Sequence, residues 1–174
     1  MLYNFDGKQP EVGKNTYVSE LAMVIGDVNI GDNCYIGHGA ILRGDYGRIE
    51  IGSGTAVEEG VNAHVPPQHT FRIGKNVTLG HGAIIHGATI SDYAVIGMGS
   101  ILSILSEIGE WTIVAEGCVV KMKQVIPDRV VAAGNPAKVI REINSKDKEL
   151  WQFGKQLYVD LAKKYLKIGM SLVK

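Results

Sequence analysis

Five histidines, at positions 38, 64, 69, 81 and 86, fall within a 49-residue stretch of this 174-residue chain. Three neutral imidazoles around one open position make a catalytic zinc site. His81 and His86 bracket Gly82-Ala83-Ile84-Ile85, and His64 lies upstream. Arg43 and Asp45 precede them, and Glu58-Glu59 stands just ahead of His64. Carboxylates beside such a site would orient a water or accept its proton, and a buried Arg would need the Asp as its partner. Whether these groups meet depends on the elements that carry them.

Those elements follow from a repeat. Ile30-Gly31, Ile36-Gly37, Ile51-Gly52, Ile73-Gly74, Leu79-Gly80, Ile96-Gly97 and Ile108-Gly109 each join an aliphatic residue to Gly, often six apart. Six-residue units start at 30, 36 and 42, then 51, 57 and 63, then 73, 79 and 85, then 90, 96 and 102, then 108, 114 and 120. A last partial set uses Ile126, Val131 and Ala137. The fifth place holds Cys34, Ala40, Thr55, Val61, Val77, Ala83, Ala94, Ser100, Thr112 and Cys118, which suit a narrow interior. Three units make a triangular turn, and turns stack at the strand spacing of about 4.8 Å. Successive turns are offset by 21, 22, 17, 18 and 18 residues, so the first two junctions hold insertions.

This framing sorts the chemistry into columns. His64 and His86 are each the second place of the third unit in their turn, so they stack on adjacent turns. Arg43 lies below them and Ser103 above. His81 belongs to the preceding side of the triangle, in a column with Glu59 and His38. It joins the other two only from a neighbouring chain, and three chains around an axis would make three two-plus-one sites. His69 sits in the insertion after His64, as a loop residue, a proton shuttle or a loose extra ligand.

The repeat, spanning roughly residues 15–140, resembles the hexapeptide-repeat, left-handed parallel β-helix family. Arg43-Gly44-Asp45, Val57-Glu58-Glu59 ahead of His64, and His81 with His86 resemble the γ-class carbonic anhydrases within it. The resemblance implies an all-β coil, assembled as a homotrimer, that hydrates carbon dioxide to bicarbonate with a metal-held hydroxide. His64, His81 and His86 would hold Zn2+, or Fe2+ or Co2+, between subunits. Arg43 and Asp45 would form an intersubunit ion pair. The family's Gln-Asp pair falls on Glu58-Glu59, and Tyr158 matches the helix tyrosine of short members, which overhangs the metal. Two departures stand out. Glu58 replaces a glutamine, and an ionised carboxylate cannot donate a hydrogen bond. The loop Val65-Pro66-Pro67-Gln68-His69 lacks the acidic residue that shuttles protons in longer members.

Three alternatives share these features: a hexapeptide acyltransferase with a histidine base, an acyl-CoA thioesterase, and a catalytically silent metal-binding or assembly protein. Gly134-Asn135-Pro136-Ala137-Lys138 occurs in hydratases and acyltransferases alike.

Composition narrows the classes. Lys plus Arg and Asp plus Glu are both 18, so no basic excess points to nucleic acid or a membrane surface. Two cysteines, Cys34 and Cys118, form no CxxC and no disulfide framework. With no signal-like segment or apolar span, the expected location is cytoplasmic. The coil is expected over 1–143. A helical appendage over 144–174 would be capped by Asn144 or Ser145 and pack through Leu150, Phe153, Leu157, Leu161 and Tyr165, with Gly154 a point of weakness.

Overall fold

The computed structural model describes residues 1–173. The chain winds as a left-handed parallel β-solenoid of about seven turns with one C-terminal helix. Aliphatic residues at the first place of each unit point inward. Ile30, Ile51, Ile73, Ile90, Ile108 and Ile126 pair in that order up one face. These pairings reproduce the expected offsets. The fifth-place residues, from Cys34 to Cys118, line the same interior and are almost wholly buried. Each buried Ile contributes roughly 1.5–3 kcal/mol, and a triangular core only one side chain wide leaves no room to exchange large for small.

The second face carries Tyr17–Val18, Tyr35–Ile36, Ala56–Val57, Thr78–Leu79, Val95–Ile96, Ile113–Val114 and Val130–Ala133. The third carries Asn62–His64, Ile84–His86, Ile101–Leu102 and Val119–Val120. Two long strands, Met23–Ile30 and Ile41–Ile51, run from the third face around a corner into the first. Pairing starts earlier than the repeat suggests, since Leu2–Tyr3 and Glu11–Val12 both join Met23–Ile30.

The last turn departs from the expected register. Val131 pairs with Ile113, and it is Ala132 that matches the inward Val114. Lys138–Glu142 folds back antiparallel on Val130–Ala133 with a register shift at Val131/Ala132. That hairpin closes the parallel stack, and the unit expected to start at Val131 starts at Ala132, six residues after Ile126.

The helix Ser145–Ile168 begins at Asn144, whose side chain accepts from the Asp147 amide while the Asp147 carboxylate accepts from the Asn144 amide. It is continuous through Gly154. Of the expected packing residues, Leu161 and Tyr165 meet the coil and the other three do not. Leu150, Phe153 and Leu157 are exposed, with Phe153 at 64%. Lys155 and Ala162 are buried instead, and Tyr158, Leu161 and Tyr165 pack on Tyr17, Tyr35 and Ala56 of the second face. The rings decide this: Tyr165 stacks on Tyr17 at 4.6 Å, and small Ala162 lets the helix approach. Among the described residues no helix is long and apolar enough to cross a membrane.

Candidate metal centre

The strands of the third face place Arg43, His64 and His86 in one cross-strand column. Their neighbours Leu42, Ala63 and Ile85 point into the core, so strand alternation turns the polar residues outward. The His64 and His86 rings stack 5.0 Å apart, tilted by 21°. That is one strand spacing, and it offers two imidazoles to one point. Burial, His64 and Arg43 all push the His86 imidazole down, favouring the neutral form that ligates metal.

Asp45 sits beside this column because of the first insertion. Pairing between the two long strands jumps from Gly26–Gly44 to Val28–Ile49, so residues 45–48 bulge out. The Asp45 carboxylate accepts from Arg43 Nη1 at 2.6 Å and lies 3.0 Å from His64 Nε2. Burial alone would raise this carboxyl, but the Arg43 and His64 contacts outweigh it and hold it below the usual range. Within the single chain, then, Arg43 and Asp45 pair with each other.

The second insertion is the loop after His64. It is pinned: the Arg48 amide donates to the His69 carbonyl at 3.0 Å. Gly47 backs directly onto that carbonyl, where any Cβ would collide. The His69 side chain is exposed at the loop's edge.

His81 lies in the turn after Thr78–Leu79, on the second face, with 45% of its side chain exposed. Two carboxylates grip it. Glu59 Oε2 is 2.8 Å from Nδ1, and Glu58 Oε2 is 3.1 Å from Nε2. Glu58 also accepts from the His81 amide at 3.1 Å. Glu58 is only 6% exposed, and burial pushes its carboxyl up against the opposing pull of His81. Burial acts the same way on Glu59, but the Tyr35 hydroxyl, donating at 2.6 Å, leads the contacts that hold it down. The Tyr158 hydroxyl stands 3.5 Å from His81 Nε2 and faces Glu58. Burial first, then the Glu58 charge, pushes that phenol up.

Among the described residues, no group of three or more His, Cys, Asp or Glu in one chain could hold a metal. His64 and His86 fit as two donors of a catalytic zinc site, which needs a third protein ligand. His81 is on another face, exposed and oriented, as a donor to a different chain would be.

Sequence reasoning missed several groups. Tyr35 orients Glu59. Ser19 Oγ lies 2.6 Å from His38 Nδ1, and Tyr165 Oη lies 3.2 Å from His38 Nε2, so His38 ties the coil to the helix. Lys155 is buried under the helix. The 3-4-3 spacing of Lys155, Tyr158, Ala162 and Tyr165 was the available signal, hidden because only one of the four is aliphatic.

Comparison with known proteins places the fold and the family. Residues 10–44 match the family model "Bacterial transferase hexapeptide (six repeats)", and residues 71–103 match "Hexapeptide repeat of succinyl-transferase". Mitochondrial gamma carbonic anhydrase 2 of Arabidopsis thaliana is 38% identical over 167 residues, covering 92% of this chain and 60% of that protein. The carnitine operon protein CaiE of a Proteus strain is 36% identical over 160 residues, covering 92% of this chain and 81% of the relative. A crystal structure of a hexapeptide transferase family protein from Anaplasma phagocytophilum superposes with a TM-score of 0.90 at 32% identity, covering 94% and 97% of the two chains. The coil is therefore a hexapeptide-repeat protein. Within that class, the chain belongs to the γ-carbonic anhydrase-like family. It spans 60% and 55% of the lengths of the two plant relatives it matches.

Proposed function

We propose that the protein is a metal-dependent hydratase of carbon dioxide, active as a homotrimer with its sites between subunits. The observation that carries this is the in-register stack of His64 on His86 in a chain whose third histidine faces outward on another side. The gamma carbonic anhydrase relatives support it. His64 and His86 of one chain and His81 of the next would hold the metal, Zn2+ or alternatively Fe2+ or Co2+. When bound, zinc lowers the pKa of a coordinated water to roughly 7 and supplies a nucleophile at neutral pH.

The chain's own residues do the rest. Glu59 holds His81 Nδ1, so Nε2 is the nitrogen that would ligate once Glu58 and Tyr158, its neighbours in the single chain, release it. Asp45 occupies His64 Nε2 in the single chain, so metal binding there requires Asp45 to release it. Glu58, buried where the family has a glutamine, offers no hydrogen-bond donor when ionised and so slows the reaction. Tyr158 closes the helix side of His81 against bulk water. Arg43 supplies the positive field that holds a bicarbonate anion. His69, exposed at the loop edge, would pass protons to buffer.

The test is isotope exchange between carbon dioxide and water, with protein loaded with zinc or iron. Exchange well above background supports the hydratase. Full metal with background exchange would favour a silent assembly protein, the reading that Glu58 in place of glutamine supports. Hydrolysis of acyl-CoA without carbon dioxide exchange would point to a thioesterase.

A further inference from the structure

Lys155 is one of two buried residues on a 24-residue helix, at 5% exposure. Its ammonium donates to Thr78 Oγ1 and to the Ala94 carbonyl, both at 3.2 Å. These acceptors belong to successive turns, since the Thr78 amide itself bonds the Ala94 carbonyl at 3.0 Å. The indole of Trp151, one helical turn back, is 6.0 Å from Nζ. Both acceptors are neutral, and burial pulls the amine down to about 7 against the charge of Glu58, so a buried amine sits where Met or Leu would pack at lower desolvation cost.

The helix runs down the stack. Lys155 meets the turns of Thr78 and Ala94, Tyr158 meets Glu58 and His81, and Tyr165 meets His38 and Tyr17. From 155 to 165 a helix rises about 15 Å. Three turns of the coil span about 14 Å. The two repeats stay in step over this distance only if one point fixes the height. Directed hydrogen bonds do so on either side of Tyr158: the Tyr165 hydroxyl lies 3.2 Å from His38 Nε2, and Nζ donates to Thr78 Oγ1 and the Ala94 carbonyl.

We propose that Lys155 is a positioning residue: its ammonium locks the helix at the height where the Tyr158 hydroxyl meets Glu58 and His81. Its consequence for catalysis rests on the hydratase reading, but the contact itself exists in the metal-free chain. Lys155 touches neither substrate nor metal and acts through Tyr158.

The test is long-range proton–nitrogen NMR of the imidazoles in the full-length, metal-free protein. K155M keeps the packing volume and removes the donors. It should move the His81 ring signals in the direction that Y158F moves them and leave His64 and His86 in place. The double variant K155M/Y158F should add little to Y158F alone. T78V, which removes one acceptor and little volume, should give a smaller shift of the same sign and serves if K155M folds poorly. In the zinc-loaded enzyme, K155M should lower kcat about tenfold with KM within about twofold, the pattern of an interaction realised in the transition state. His81 signals unmoved in K155M or T78V while Y158F moves them would overturn the proposal. Background activity in the wild type, with the His81 shifts intact, would count against the hydratase and leave the Lys155 lock standing.

Discussion

Asp45 Oδ1 lies 3.0 Å from His64 Nε2 while Oδ2 of the same carboxylate accepts from Arg43. One acid therefore holds both the cation and the first histidine of the column. The arrangement exists because residues 45–48 stand opposite the single residue Asp27, three more than the repeat requires.

R43A should accordingly destabilise the metal-free protein. It strands a mostly buried carboxylate, at a cost of roughly 1–3 kcal/mol. For a chain of this size the melting temperature should fall by about 3–10 °C. R43A/D45N should recover most of the loss in the same thermal scan. Equal melting of R43A and wild type would show that the pair is solvated and idle.

The helix cap should titrate in acid. Arg141 is the leading cause that takes the Asp147 carboxyl down to about 2, with the Asn144 amide next. The folded pKa is depressed, so this stabilisation is present above the unfolded carboxylate range near 4. It is lost as pH falls from there through about 2. Circular dichroism at 222 nm should show helix loss in that window, and D147N should flatten it while lowering helix content at neutral pH. N144A should cost about 1 kcal/mol, as the loss of an N-cap does.

Glu58 should tolerate an isosteric change. E58Q keeps a carbonyl oxygen for the His81 amide and adds an amide donor. We expect an unchanged fold and a carbon dioxide hydration rate about tenfold higher, one hydrogen bond's worth in the transition state. An unchanged rate would mean that Glu58 does not limit turnover.

His69 should matter only when buffer is scarce. Its loop is held by Arg48 and Gly47, so H69A should leave the site intact. Turnover should fall severalfold at low buffer and recover with added imidazole. Equal rates at low buffer would remove His69 from the proton path.

Much of this was legible in the residues. The spacing of Ile30, Ile51, Ile73, Ile90, Ile108 and Ile126 predicts the register of the coil, because a one-residue slip would turn every aliphatic outward. The same framing stacks His64 on His86 and excludes His81 from their face. Two things escaped it. The six-residue step from Ile126 leads to Ala132 rather than Val131, and the closing antiparallel strand Lys138–Glu142 is not encoded in that period. The helix face was misread because hydrophobic periodicity selects Leu150, Phe153 and Leu157. The coil presents Tyr17 and Tyr35 there, and its complement is Lys155, Tyr158, Ala162 and Tyr165. Side-chain partners such as Glu59 with Tyr35 lie 24 residues apart and emerge only once the turns are stacked.

The most direct test of a shared three-histidine site is metal per chain in H81A, in H86A, and in the two refolded together, beside wild type purified without chelators. The account predicts about one transition metal per wild-type chain and almost none in either variant alone. In the equal mixture about a quarter of the sites would regain metal, since one interface in four of a random trimer joins an intact His64–His86 pair to an intact His81. Metal retained by H81A alone, or no recovery in a mixture shown to have exchanged subunits, would contradict it.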